Sequence, residues 1–250
     1  GHFLLTIDGS GSQAYVKSVT GGGLKASLAQ SPTGGAALKA KHTAPVEMEP
    51  IEIEIGAASS KDLLVWIQDS WNRQHSRRDG MIVHADMNQK ARLEHWFYRA
   101  LVAEVGFPAL DASSKEGAYL KVKLQAEDSE FKELATPYVL QSETATKQKA
   151  WSVANFRFTV DGIDRSATDR VSKIDAVVVK QKFKPLYTGK QRLPELTPTG
   201  LEFPNLIFYL AEEFAAPFRQ WHWDFHHGNA QDTQMEKEAS IELLHPNLKD

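Results

Sequence analysis

The sequence contains no cysteine, and this absence removes several kinds of chemistry at once. A chain without cysteine has no disulfide framework, no thiolate nucleophile and no zinc site of the cysteine type. The absence is typical of proteins that fold in a reducing compartment such as the cytoplasm. The sequence therefore predicts a fold that is held together by its hydrophobic core.

Long apolar runs and an excess of charge of either sign are also missing. No window approaches the roughly 18 consecutive apolar residues of a membrane helix, and the apolar run Phe3–Leu5 is too short for a signal peptide. The formal net charge of −3 gives no electrostatic footprint for nucleic acid. We expect a soluble protein without membrane insertion, long enough at 250 residues to bury a sizeable core.

Motifs of the common hydrolases and nucleotide-binding proteins are absent as well. The sequence has no GxSxG, no GxxxxGK and no HExxH. Gly21–Gly23 is not followed by a helix signature, so a nucleotide-binding loop is not expected. His75, His84 and His95 have no regular spacing, and we interpret them as surface or interface residues. We therefore expect no catalytic residue and no bound cofactor.

The segment Trp221–His227, with the sequence WHWDFHH, is the strongest candidate for chemistry. On a strand, His222, Asp224 and His226 would share one face, and such side chains can bind zinc or iron. Ligands two residues apart on one strand are cramped around a single ion, however. The favoured interpretation is a strand with its aromatic face in the core and no metal, and a metal-dependent enzyme is kept as an alternative.

What the sequence does contain is an internal repeat. Phe3–Gly9 (FLLTIDG) matches Phe156–Gly162 (FRFTVDG), and both are strand-like runs that end in a turn dipeptide. A weaker echo follows each of them, at Val16–Val19 and Val171–Ile174. The repeat predicts that one β-rich unit occurs twice in the chain.

One helix is predicted in each copy, over Lys61–Gln74 and Pro204–Gln220. Ser60 is a good N-cap for the first helix, and Pro204 suits the first position of the second. Both helices carry apolar residues at i, i+1, i+4 and i+8, which form one core-facing stripe: Leu63, Leu64, Ile67 and Trp71 in the first, and Leu206, Ile207, Leu210 and Phe214 in the second.

Each copy is expected to close with an aromatic strand and an alternating strand. The aromatic strands are Trp96–Ala100 and Trp221–Trp223, and the alternating strands are Leu120–Leu124 and Ala239–Leu243. The polar stretch Gln141–Lys149 is the predicted boundary. The sequence thus predicts two domains, over residues 1–140 and 150–250.

A Gly/Ala-rich segment at Gly21–Pro45 precedes a strictly alternating run, Glu49–Ile55. The segment is too long for a simple turn and has little apolar surface to offset an ordering entropy of ~1–2 kcal/mol per residue. We interpret it as a long hairpin that is ordered by a neighbouring subunit. The predicted inter-subunit residues are Leu24, Ala26, Leu28, Ala36, Leu38 and Lys41.

Taken in order, the elements of the first half resemble the tail-tube family of contractile phages and related contractile injection systems. The matching elements are Phe3–Gly9, Pro50–Gly56, Asp62–Trp71, Trp96–Ala100 and Leu120–Leu124. The resemblance implies a mainly β (α+β) fold, with two tandem tail-tube-like β-sandwich/barrel units and one flanking helix in each. It also implies that such units form rings around a central channel and that the rings stack.

The function implied by this resemblance is that of a self-assembling structural protein in the tail tube or the tube-proximal baseplate or hub. The expected partners are further copies of the chain, as a hexamer or as a trimer with pseudo-sixfold symmetry, and other tail, sheath or baseplate proteins. DNA or cargo would only pass through the channel. We expect the protein in a virion tail or injection particle that is assembled in the bacterial cytoplasm. A β-sandwich binding module is the other alternative.

Overall fold

The computed structural model describes residues 2–8, 13–31, 40–56, 60–140, 151–187, 193–228 and 236–245. The strands, in chain order, are β1 (His2–Ile7), β2 (Gln13–Gly21), β3 (Leu24–Ser31), β4 (Ala40–Met48), β5 (Ile51–Gly56), β6 (Arg78–Ala85), β7 (Ala91–Phe107), β8 (Leu110–Asp111), β9 (Tyr119–Gln125), β10 (Asp128–Glu133), β11 (Phe156–Val160), β12 (Val171–Ile174), β13 (Val177–Leu186), β14 (Glu195–Glu202), β15 (Phe208–Leu210) and β16 (Ala239–Leu243). The helices are α1 (Lys61–Trp71), α2 (Arg165–Thr168) and α3 (Ala216–His227), and a 3-10 turn covers Glu212–Phe214.

The chain forms two compact units, and each is assembled from separate stretches of sequence. The first unit consists of Gly1–Gly106, Leu120–Gln148 and Val178–Phe203. The second unit consists of Phe107–Tyr119, Lys149–Val177 and Pro204–Asp250.

Six strands of the first unit close into a barrel. Their order is β7-β6-β1-β2-β5-β9, and β9 pairs back onto β7. The ladders of β1 with β2 and β6, of β2 with β5, and of β7 with β6 and β9 are all antiparallel. Because every strand of a closed sheet has two neighbours, the barrel has no unpaired edge along these ladders. The mainly β fold predicted from the sequence is confirmed.

The strand β5 illustrates how alternation in the sequence builds this barrel. Ile51, Ile53 and Ile55 are at most 2% exposed and point into the core. Glu52 points to the opposite face, where its carboxylate lies 3.0 Å from the Lys123 ammonium. Side chains of period 2 separate the two faces in this way, so the predicted strand is confirmed.

The helix α1 begins where the capping signal predicts. The Ser60 hydroxyl accepts a hydrogen bond from the Leu63 amide at 3.2 Å, which satisfies one of the free donors of the first turn. The helix ends at Trp71 rather than at the predicted Gln74. Arg73 adopts a left-handed conformation with φ of 62°, which breaks the helical ladder at this point.

The buried face of α1 is slightly rotated from the predicted one. Leu63, Trp66 and Ile67 are at most 4% exposed, and Trp71 packs against the same core while remaining partly exposed. Leu64, which the spacing assigned to the core, is 40% exposed. Trp66 occupies the core position instead of Leu64. The indole of Trp66 buries more area than a leucine side chain, and the indole N–H donates to the Ser76 carbonyl at 2.9 Å.

A hairpin from the second half of the sequence extends the barrel sheet. β13 pairs with β7, and β14 pairs with β13. The ladder between β6 and β7 ends at Ala100, so the last part of the 17-residue β7 has room for a further partner on that side. This hairpin therefore belongs to the first unit, which differs from the predicted division into residues 1–140 and 150–250.

The second unit contains smaller sheets. β11 pairs with β16, and the three-stranded sheet has the order β15-β12-β8. Phe158, Val160 and Ile174 are among its buried apolar residues. The strands predicted at Phe156–Gly162 and Ala239–Leu243 are confirmed, although Ile241 is 40% exposed. Within the described residues these strands do not close into a ring.

The helix predicted at Pro204–Gln220 is wrong. Phe208–Leu210 forms β15, which pairs with β12, and α3 begins only at Ala216. The aromatic and β-branched run Ile207–Tyr209 favours a strand, and Pro217 fits the first turn of a helix but not its interior.

The apolar residues assigned to that helix are consequently not its core. Leu206 and Ile207 are 38% and 51% exposed. Leu210 lies in β15 and is half-buried. Phe214 lies in the 3-10 turn, where the Arg170 guanidinium is 5.0 Å from its ring centroid. The spacing i, i+1, i+4, i+8 was therefore not specific for a helix here.

None of the helices in the described part of the chain combines the length and the apolar character that crossing a bilayer requires.

Candidate assembly surface

The strands β3 and β4 form a hairpin that continues from β2 and β5. They pair with each other from Leu24↔Met48 to Ser31↔Ala40, and among the described strands neither pairs with a third. Their outer edges therefore carry backbone donors and acceptors that the described strands leave unused. A two-stranded ribbon of this kind is only marginally stable by itself.

The predicted inter-subunit residues fall at different places on this hairpin. Leu24 and Ala26 are exposed, Leu24 by 62%. Leu28 and Lys41 lie in the paired strands. Ala36 and Leu38 lie outside the described residues.

Two glycines form the junction between the barrel and the hairpin. Gly21 and Gly22 have φ of 78° and 79°, a region that other residues rarely adopt. A Cβ at Gly21 would lie 2.1 Å from the Pro50 carbonyl oxygen, and one at Gly22 would lie 2.2 Å from the His95 ring. Gly21 and Gly22 of the triple-glycine motif are therefore steric requirements of the chain path at this junction, whereas a Cβ at Gly23 would make only an ordinary contact.

His95 ties three elements together beside this junction. Its Nε2 lies 2.9 Å from the Ser129 hydroxyl, which in turn donates to the Gly22 carbonyl oxygen at 2.8 Å. A hydroxyl has one proton, so the His95 Nε2 must be the donor to Ser129. The chain of bonds joins β7, β10 and the first residue after β2.

The same geometry keeps His95 neutral. The imidazole is 1% exposed, and its Nδ1 has no hydrogen-bond partner. Burial, together with the nearby His84, lowers the pKa of His95 to about 4. The Phe131 ring stacks on the imidazole with centroids 4.0 Å apart, which limits access of water to this face.

Sequence reasoning placed His95 at the surface or an interface, and this is wrong. The missed signal was its phase in β7, since His95 and Phe97 lie on the same side of an alternating strand. Both side chains are at most 1% exposed. For a histidine in phase with a buried aromatic residue, the strand pattern thus predicts burial better than the polarity of the side chain does.

The strand β10 presents a second exposed edge. Its residues pair with Leu93–Tyr98 of β7, and no other described strand pairs with it. Five of its six residues are exposed, including Phe131 at 49%. Charged residues alternate along the edge, which is a common protection against uncontrolled strand pairing.

An ion-pair cluster attaches the β13–β14 hairpin to the barrel. The Arg77 guanidinium lies 2.8 Å from Glu127 and 3.3 Å from Glu195, and it donates to the Leu196 carbonyl at 2.7 Å. Arg99 also pairs with Glu127, and interaction with that carboxylate raises the pKa of the Arg99 guanidinium. Four charged groups from separate strands and loops are thus held at one place.

The aromatic strand predicted at Trp221–Trp223 is also wrong, because these residues belong to α3. At 100° per residue, His222 and His226 share one side of the helix while Asp224 points away from both. The proposed face of three ligands therefore does not exist. No group of three or more His, Cys, Asp or Glu with the geometry of a metal site occurs among the described residues.

Several solved structures of injection-system components show a partial similarity to this chain. A chain in the structure of the anti-feeding prophage (AFP) cap matches at 18% identity and a TM-score of 0.45, over 53% of this chain and 88% of that chain. The sheath-tube complex of the extracellular contractile injection system PVC gives 17% identity and a TM-score of 0.46, over 53% and 88%. Hcp1 from Flavobacterium johnsoniae gives 17% identity and a TM-score of 0.37, over 56% and 100%.

Among curated proteins, no sequence matches this chain significantly. The family model described as "T4-like virus tail tube protein gp19" matches residues 1–130, which is more than half of the sequence and contains the six barrel strands, α1 and the hairpin. On this match, the chain belongs to the T4-like virus tail tube protein family.

Proposed function

We propose that this chain is a structural subunit of a tail tube, or of the tube-proximal baseplate, in a phage or a contractile injection system. The observation that carries the proposal is the family match over residues 1–130, which spans the closed barrel and the projecting hairpin together. Copies of the chain assemble into a ring around a channel, and the protein has no catalytic role.

The hairpin β3–β4 supplies the contact between subunits. Its outer edges can add to the sheet of a neighbour by backbone hydrogen bonding, which does not depend on particular side chains. The exposed Leu24 adds apolar area to such a contact. The paired glycines and the His95–Ser129 bonds fix the base of the hairpin on the barrel, so that a contact at the hairpin orients the whole subunit.

The ring is a hexamer, or a trimer if the second half of the chain serves as a second tube-like unit with pseudo-sixfold symmetry. The repeat of Phe3–Gly9 at Phe156–Gly162 supports duplication. The partners are other tail, sheath or baseplate proteins, and the particle is assembled in the bacterial cytoplasm. DNA or cargo passes through the channel without a dedicated site.

The proposal is tested by imaging and by mass. Purified full-length protein should give rings or tubes in negative-stain micrographs and a mass of several subunits in light scattering. A variant that lacks Leu24–His42 should keep a cooperative thermal unfolding transition, because the barrel strands and α1 are untouched, yet fail to stack. Normal stacking of this variant would overturn the assigned role of the hairpin.

A matched pair of single substitutions controls for loss of folding. Leu24→Asp changes an exposed residue on the hairpin, and Met87→Asp changes a residue that is 78% exposed at the β6–β7 turn. Both variants should melt like the unchanged protein. Only Leu24→Asp should weaken stacking, and an equal effect of the two substitutions would contradict the assignment.

A further inference from the structure

The helix α3 brings two histidines together at its surface. His222 and His226 are one turn apart and both are exposed. Their Nε2 atoms lie 3.1 Å apart, and their ring centroids are 4.4 Å apart with the planes at 64°. The two Nε2 atoms are therefore within hydrogen-bonding distance of each other at the surface of the helix.

This distance is the one that a shared metal ion requires. Imidazole nitrogens bind divalent transition metals at ~2.0–2.1 Å. With an angle between ~90° and ~109° at the ion, two such nitrogens are about 2.9–3.4 Å apart by simple trigonometry on that bond length. The observed separation falls inside this interval without any movement of the backbone.

We propose that His222 and His226 form a two-ligand chelate site for a divalent transition metal ion. Imidazole pairs suit Cu²⁺, Ni²⁺ and Zn²⁺, with Cu²⁺ bound most tightly among the first-row ions. Water molecules complete the coordination. The site has no catalytic role and is independent of the proposed function in the tube.

Two neighbouring polar groups in the described part of α3 are engaged elsewhere and supply no third ligand. Asp224 accepts a hydrogen bond from the Gln220 side chain at 2.7 Å. The His227 Nδ1 lies 3.0 Å from the Trp223 carbonyl oxygen, and the two rings stack at 3.8 Å. His227 is therefore a histidine of the same helix that does not join the pair, and it serves as an internal control.

Metal binding would stabilise α3 in particular. No residue of this helix is buried in the structure, so little packing within the chain holds its last turns in place. A bond through the ion between positions i and i+4 closes one helical turn. The inferred role of the metal ion is therefore to cross-link one turn of α3 and stabilise the helix.

Isothermal titration of the tag-free full chain with CuCl₂ and NiCl₂ tests the inference. We expect a binding event that His222→Ala and His226→Ala each weaken at least tenfold, whereas His227→Ala changes it less than twofold. Equal weakening by all three substitutions, or unchanged binding in His222→Ala, would overturn the site. Circular dichroism of the metal-free variants confirms folding, since all three side chains are exposed.

A spectroscopic measurement on the Cu²⁺-loaded protein gives an independent readout. Two bound imidazoles should produce nitrogen hyperfine structure in the electron paramagnetic resonance spectrum, and this structure should disappear in the double variant His222→Ala/His226→Ala. If the double variant retains the same signal, the copper is bound by other histidines and the inference is wrong.

Discussion

At the scale of single residues, His95 makes the stability of the first unit depend on pH. Its pKa is about 4 in the folded chain, below the ordinary histidine value of 6.5. Between these values the unfolded chain binds a proton that the folded chain does not, so stability falls as the pH falls. From pH 7 to pH 5 this difference amounts to about 2 kcal/mol. Urea unfolding at the two pH values measures it.

The variant His95→Phe isolates this contribution. It removes the titrating group and keeps an aromatic ring against Phe131, so its loss of stability between pH 7 and pH 5 should be smaller than that of the unchanged protein by about 2 kcal/mol. His227→Phe, on the exposed α3, makes the same exchange of an imidazole for a phenyl ring outside the first unit and is the control. The same pH dependence in His95→Phe and in the unchanged protein would contradict the assignment.

Tryptophan truncations test how the core of α1 is arranged. Trp66 is 1% exposed, so Trp66→Ala should lower the free energy of unfolding by ~3–5 kcal/mol. Trp71 packs on the same core but stays partly exposed, and Phe214 is half-buried in the 3-10 turn. We expect Trp71→Ala and Phe214→Ala to lose less than Trp66→Ala in chemical denaturation. A larger loss for Trp71→Ala would mean that the helix face is placed wrongly.

At the scale of elements, local patterns predicted what local interactions decide. The cap at Ser60 and the alternation of Ile51–Ile55 specify their elements within a few residues of sequence. The strand forms as predicted, and the helix begins as predicted although its end and its buried face differ. The run at Leu206–Leu210 fits a helix or a strand equally by spacing, and its pairing with β12 decides the outcome. That partner lies far away in sequence, so no local reading could have identified it.

At the candidate assembly surface, too, local sequence patterns predicted some features but not the contacts between elements that are distant in sequence. The glycine motif and the Gly/Ala-rich composition were sufficient to predict a hairpin at this place. The bonds that fix its base were not predictable, because Ser129 meets Gly22 only through the pairing of β10 with β7. The sequence identified His222 and His226 as candidate metal ligands. The assumed strand periodicity of two placed Asp224 on the same face, but the segment is a helix.

The attachment of the β13–β14 hairpin gives a prediction at this scale. Arg77→Met removes the cation that Glu127 and Glu195 share, together with a bond to the Leu196 carbonyl. Loss of these part-buried bonds should cost about 1–3 kcal/mol and speed hydrogen exchange in β14. Arg92→Met, which breaks a pair of an exposed arginine with Asp86, is the control and should change stability by less than about 1 kcal/mol. Unchanged exchange in β14 would show that the cluster does not hold the hairpin.

At the scale of the whole molecule, the two units cannot be separated by one cut. The first unit takes Val178–Phe203 from the second half of the chain, and the second takes Phe107–Tyr119 from the first half. A fragment ending at Gln148 should therefore lack β13 and leave part of β7 without its partner. We expect it to unfold at a lower urea concentration than the full chain. An equal midpoint would show that the added hairpin contributes no stability to the barrel.

The interleaved order also has a consequence for biosynthesis. A ribosome releases the six barrel strands well before the β13–β14 segment that extends their sheet, and at about 5–20 residues per second the delay lasts several seconds. During that time the last part of β7 lacks its partner β13 and presents a free strand edge to other chains. Production of this protein should therefore respond to translation speed between the codons for Gln148 and Phe203, and to chaperones that shield exposed edges.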